Sequence, residues 1–170
     1  MKLKPLTLSD VEQVRQWRNE SLSSLRTPFL LTTEQQEQFY RNVICDRQAN
    51  ARYWGIHDAV HNFIGMVGLE NISWENRNAE ISIILNPEVQ GNGHGSQAVE
   101  LLLNQGFDYL NLENIFGECY LSNPAVKFWE KNIEKHSGTK AILPKRKYWE
   151  GEYWDSLYFN FNKSDYKERK

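Results

Sequence analysis

The sequence has little with which to staple itself or to hold a metal. It contains only two cysteines, Cys45 and Cys119, far apart and with neither metal-site nor redox-motif spacing, so both are expected to be buried free thiols. No apolar run approaches membrane-spanning length, and Met1-Lys2-Leu3-Lys4-Pro5 lacks the apolar stretch of a secretion signal. The expectation is a soluble, cytoplasmic protein without a membrane partner. Neither charge is in surplus: 20 Lys and Arg stand against 22 Asp and Glu, a formal net charge of −2, which removes the global attraction a basic chain would have for nucleic acid. Repeats and low-complexity segments are absent. A length of 170 residues suits one domain with a sizeable core.

What the chain does have is one dense stretch, Leu85-Asn86-Pro87-Glu88-Val89-Gln90-Gly91-Asn92-Gly93-His94-Gly95-Ser96. The Ile-rich segment 79–85 before it reads as a largely buried strand, and Val99, Leu102, Leu103, Gly106 and Leu110 after it recur at helical spacing. The glycines therefore form a strand-to-helix turn. A helix start presents N–H groups without partners and the positive end of the dipole, so amides converging there suit a pyrophosphate, or the glycines merely make a tight loop. A P-loop is excluded because Gly95 is followed by Ser96-Gln97 instead of a Lys-Ser or Lys-Thr pair. The dinucleotide fingerprint is excluded because its third glycine would fall at position 96, which is Ser.

Around this stretch the pattern reads as mixed α and β. A strand at 3–6 precedes a helix through Val11, Val14, Trp17 and Arg18, capped by Ser9 or Asp10. Residues 19–31 suit a loop or broken helix. A second helix capped by Thr32 or Thr33 carries Phe39, Tyr40, Val43 and Ile44 inward. Strands are expected at 51–57, 62–70, 79–85, 114–121, 139–143 and 153–161, and a short helix at 124–135. The charged tail, 163–170, is expected to fray.

Gln90-Gly91-Asn92-Gly93-His94-Gly95 resembles motif A of the GNAT superfamily of acyl-CoA-dependent N-acetyltransferases. Residues 14–19 and the ending Gly151-Glu152-Tyr153-Trp154-Asp155 are similar to the branch containing the ribosomal-protein alanine acetyltransferases. The resemblance implies one GNAT domain over 1–162: an α/β fold with a twisted mixed sheet of about seven strands and helices on both faces. It implies acetyl-CoA as co-substrate, no metal, and a primary amine acceptor on a protein N-terminus or a small metabolite. An amino-sugar nucleotide acceptor, a non-catalytic acyl-CoA-binding module and a homodimer are left open.

The resemblance also maps roles. Backbone groups of Ile83, Ile84 and Leu85 would pair with the pantetheine arm, and Gln90, Gly91, Asn92, Gly93, His94, Gly95 and Ser96 would take the pyrophosphate. Glu80 takes the place of the family's general base; the alternative is a solvated residue or an ion-pair partner of Arg77. Glu70 is a second carboxylate of similar standing. The late helix departs from the family pattern, since Trp129 stands where Tyr usually acts as acid, and an indole N–H cannot serve. Ser122 occupies the usual Asn position with Asn123 one residue late, so Asn123 or Ser122 would contact the cofactor, and Ser122, Tyr120 or a water would be the acid. His57 and His61 are too irregularly spaced for a metal pair. The C-terminal aromatics, preceded by Lys145, Arg146 and Lys147, are read as strand packing with some lining an acceptor pocket, and a nucleic-acid partner is not expected.

Overall fold

The structure, a computed structural model, describes residues 1–26 and 29–168, so Thr27, Pro28, Arg169 and Lys170, which fall in the expected loop and tail, lie outside it. After β1 (Lys2–Lys4), α1 covers Leu8–Glu20 and is started by Thr7 instead of Ser9 or Asp10. Thr7 Oγ1 accepts from the Asp10 amide at 3.2 Å while Asp10 Oδ2 accepts from the Thr7 amide at 2.9 Å. This reciprocal box satisfies two end donors where a lone Ser9 cap would satisfy one. α1 buries Val11, Val14 and Trp17 beside Leu6 and Met66, and Trp17 stacks on Phe63 at 5.7 Å. A 3-10 turn, Leu22–Ser24, follows.

α2 (Thr33–Phe39) has the expected Thr32–Gln35 box and runs on as a π turn, Tyr40–Ile44. Its buried residue is Gln36, whose amide donates to Val11 O at 2.9 Å and ties α2 to α1; Phe39, Tyr40 and Ile44 pack half-buried beside it. Cys119 is buried as expected, but Cys45, at the end of the π turn, is exposed.

Strands β2 (Arg52–His57), β3 (Phe63–Ser73), β4 (Asn78–Leu85), β5 (Asn114–Tyr120), β6 (Thr139–Trp149) and β7 (Glu152–Asn162) complete a 7-stranded sheet of order β1-β2-β3-β4-β5-β7-β6. All neighbours are antiparallel except β4 and β5. The closing hairpin is longer than the sequence suggested because β6 passes Pro144 through a register shift between Leu143 and Lys147, which accommodates a residue without an N–H.

α3 (His94–Asn104, continued by a π turn Gln105–Tyr109) buries Ala98, Val99, Leu102, Leu103 and Phe107 against Ile81, Leu69 and Ile115. Each of these side chains larger than Ala98 contributes about 1.5–3 kcal/mol of burial. α4 (Val126–Lys135) lies on the same side, whereas α1 and α2 cover the other. The tail does not fray at once: α5 (Lys163–Glu168) buries Tyr166 beside Phe107 and His136 at 5.3 and 5.5 Å. An amphipathic residue outweighed the charge of its neighbours.

Candidate active site

β4 and β5 run parallel for only three residue pairs, Asn78–Asn114, Ala79–Ile115 and Glu80–Phe116. Beyond Glu80, β4 pairs only with β3 and β5 only with β7, so the strands splay and the Ile81–Leu85 edge of β4 faces a wedge. A row of unpaired backbone groups is a template for an extended, amide-bearing ligand. Ile83, Ile84 and Leu85 lie on this edge.

The wedge opens onto the glycine loop. A 3-10 turn, Pro87–Val89, begins with the Asn86 side chain accepting from the Glu88 amide at 2.9 Å, and Gln90 returns its side-chain amide to Leu85 O at 3.4 Å. Gly91 and Gly93 adopt φ of +83° and +81°, the left-handed region that costs other residues energy, and an added Cβ would meet nothing at either. Gly95 serves a different end: its Cβ would come within 2.8 Å of the Phe128 ring. α3 starts at Gly93 with no side-chain cap, leaving the amides of His94, Gly95 and Ser96 without helical partners. Asn92 is exposed, and His94 is close enough to Asp58 for their charges to interact.

Glu80 is 8% exposed and faces Glu70 on β3 and Phe116 on β5. It is not paired with Arg77, which bonds Glu113 at 2.7 Å and Asn111 at 2.8 Å. Its partners are Arg26, joined through a guanidinium hydrogen bond, and the Asn71 amide at 3.1 Å. The Glu80 hydrogen bond outweighs desolvation and holds Arg26 above the ordinary guanidinium range. Glu70 interacts with the Tyr53 hydroxyl and with Arg18; burial, then Glu70, push the Tyr53 phenol up, while burial pulls Arg18 down.

On the opposite wall, alternation along β5 places Phe116, Glu118 and Tyr120 on the face shared with Glu80. Glu118 accepts from Arg146 Nε at 2.9 Å and Ser156 Oγ at 2.6 Å. Burial pushes the Tyr120 phenol up and Arg26 works against it, so at neutral pH Tyr120 keeps its proton. Lys147, 5% exposed, sits 5.1 Å from the Tyr120 ring and 5.0 Å from Trp149, and donates to Ser23 O at 2.5 Å. It thereby ties the β6–β7 hairpin to the turn after α1, and burial lowers its pKa.

Past Tyr120, Ser122 Oγ is buried without a hydrogen-bond partner among the described residues. Asn123 spends its side chain inside the protein, donating to Ser24 O at 3.0 Å and accepting from the Ala125 amide at 2.8 Å. Trp129 is packed between Phe159 at 4.6 Å and Phe128 at 5.0 Å. Among the described residues no group of three or more His, Cys, Asp or Glu side chains could hold a metal, and no helix is long and apolar enough to cross a membrane. Sequence reasoning missed Arg26, Tyr53, Glu118 and Arg146 as members of this face. Only Glu118 had a signal, being in phase with Tyr120 along β5.

The Acetyltransferase (GNAT) domain family matches residues 1–129, more than half of the chain. The chain belongs to the GNAT acetyltransferase family. A spermidine N-acetyltransferase of Vibrio cholerae is 35% identical over 96 residues, covering 56% of this chain and 54% of the relative, so the match spans about half of that protein. The solved spermidine N-acetyltransferase of Vibrio cholerae in complex with CoA and spermine superposes with a TM-score of 0.85 at 26% identity, over 97% of this chain and 96% of that one. A dodecameric structure of the Vibrio cholerae enzyme in an intermediate state gives 0.82 at 27% identity, over 99% and 96%. These relatives acetylate spermidine and are not ribosomal-protein alanine acetyltransferases, which corrects the branch expected from the first helix and closing hairpin. Those segments supply α1 and the turn from β6 into β7, so their likeness reports architecture more than acceptor. As a GNAT acetyltransferase the chain has the family's mixed sheet, and the family uses acetyl-CoA as co-substrate.

Proposed function

We propose that this chain is an acetyl-CoA-dependent N-acetyltransferase acting on the primary amine of a small molecule. The observation that carries it is a juxtaposition: an open β4 edge runs into an uncapped helix start, with Glu80 and Tyr120 on opposite walls of the wedge between them. When bound, acetyl-CoA supplies the acetyl group as a thioester, which passes to the amine nitrogen as the carbon–sulfur bond breaks. In this reading the Ile83 to Leu85 backbone orients the pantetheine arm, and the Gly91 to Ser96 loop, with Gln90 holding its start, receives the pyrophosphate. Glu80 takes the proton from the incoming ammonium, and Tyr120 or Ser122 returns one to the thiolate sulfur. Ser122, whose hydroxyl has no hydrogen-bond partner among the described residues, is free for this contact, whereas Asn123 would first have to release Ser24.

The relatives, which act on the small amine spermidine, support a small-molecule acceptor in preference to a protein N-terminus, and the dodecameric one supports self-association beyond a homodimer. Thiol release from acetyl-CoA across a panel of small amines, with a protein N-terminal peptide as control, tests the reading. Turnover with a small amine supports it. Tight CoA binding with no turnover of any amine would favour a non-catalytic acyl-CoA-binding module.

A further inference from the structure

The sheet face around Glu80 carries more positive than negative charge. Three carboxylates lie there, Glu70, Glu80 and Glu118, and four cations: Arg26 bonds Glu80, Arg146 bonds Glu118, Arg18 feels the charge of Glu70, and Lys147 lies over the Tyr120 ring. Every carboxylate is engaged: Glu70 with Tyr53 and Arg18, Glu80 with Arg26 and Asn71, Glu118 with Arg146 and Ser156. The cations keep spare donors. Arg18 Nε is buried without a hydrogen-bond partner among the described residues, the Arg26 and Arg146 side chains are 52% and 51% exposed, and Lys147 makes a hydrogen bond to one carbonyl with a group that has three protons to give. A polycation entering here would have to displace guanidinium groups to reach a carboxylate. An anion would find donors waiting.

The cations also converge. Arg26 interacts with Tyr120 and with Glu118, which Arg146 holds, while Lys147 lies over the same Tyr120 ring. Arg26 is the member whose other partner is Glu80, and Arg146 and Lys147 lie beyond residue 129, outside the span matched by the family.

We propose that the acceptor is a primary amine that also carries an anionic group, a carboxylate or a phosphate, and that this group binds Arg26 beside Arg146 and Lys147, drawing Arg26 off Glu80. The inference rests on the reading of Glu80 as the base, which the acceptor's own anion would then free at the moment its amine arrives. An unloaded site would keep its base clamped.

Matched pairs of amines test it: glucosamine 6-phosphate against glucosamine, and 4-aminobutyrate against its amide, with spermidine as the polycation. The charged member of at least one pair should exceed its neutral partner by about tenfold or more in kcat/KM, the scale of a charge-assisted hydrogen bond. The phosphate and carboxylate pairs say which anion is read. Arg26→Gln should collapse that ratio toward unity chiefly through KM, and Arg26→Lys should restore part of it. Calorimetry of the same pairs on the CoA-loaded protein reads the preference without turnover, so this arm stands even if the transferase reading fails. Equal binding within both pairs, or spermidine bound and turned over better than either charged probe, overturns the proposal.

Discussion

Glu80→Gln keeps the side chain's shape and hydrogen-bonding reach while removing its charge, and the structure separates its two consequences. The Glu80 side chain is 11% exposed, but its partner Arg26 is 52% exposed and can turn toward water. The stability loss should therefore lie between that of an exposed and a fully buried pair, about 1–2 kcal/mol, lowering Tm by roughly 2–8 °C. The catalytic loss is set by proton transfer and should be about 10²-fold or more in kcat, with CoA affinity unchanged because Glu80 does not touch the glycine loop. The sign of the pH response follows. An alkylammonium loses its own proton near pH ~10, so the variant's deficit should shrink as pH rises toward that value. Thiol-release kinetics from pH 6.5 upward, with circular dichroism as the folding control, read both effects. Wild-type kcat in a folded Glu80→Gln protein, or a deficit independent of pH, would refute Glu80 as base.

Burial pushes the Cys119 thiol up to about 12, while Cys45 is exposed, so a maleimide at neutral pH should label Cys45 alone in the folded protein and both thiols after denaturation. Gly93→Ala meets no atom within 4 Å but must hold φ near +81°, which should cost about 1–2 kcal/mol and weaken CoA binding, as read by thermal melts and calorimetry. Burial works to raise Glu118, but Arg146 and Ser156 outweigh it and hold its carboxyl low. Its stabilisation is therefore fully present above the unfolded value of about 4.3 and lost as pH falls through the lower folded value. Chemical denaturation across that window should give a shallower acid slope for Glu118→Gln than for wild type.

The glycine loop was legible because its chemistry is local: a strand, a turn that needs positive φ at Gly91 and Gly93, and a helix start all lie within one short stretch. α1, α3 and β4 were legible from periodicity for the same reason. The acceptor face was not. Arg26 sits in an irregular segment and meets Glu80 across 54 positions of sequence, and Lys147 reaches Ser23 across 124. Nothing in a lysine beside Arg146 says that it will be buried between two aromatic rings. The strand expected at 139–143 runs on to Trp149 because a register shift absorbs Pro144. Tyr166 looked like part of a charged tail until the pocket beside Phe107 and His136 gave it somewhere to go. Such outcomes are set by packing at long range, which a single sequence does not carry.

If the β4 edge and the Gly91 to Ser96 loop hold CoA, titration calorimetry with CoA will show it. The expected result is a saturable heat with one CoA per chain and a dissociation constant in the micromolar range or tighter, weakened by Gly93→Ala and unaffected by Glu80→Gln. No saturable binding at millimolar CoA to the folded protein would contradict it.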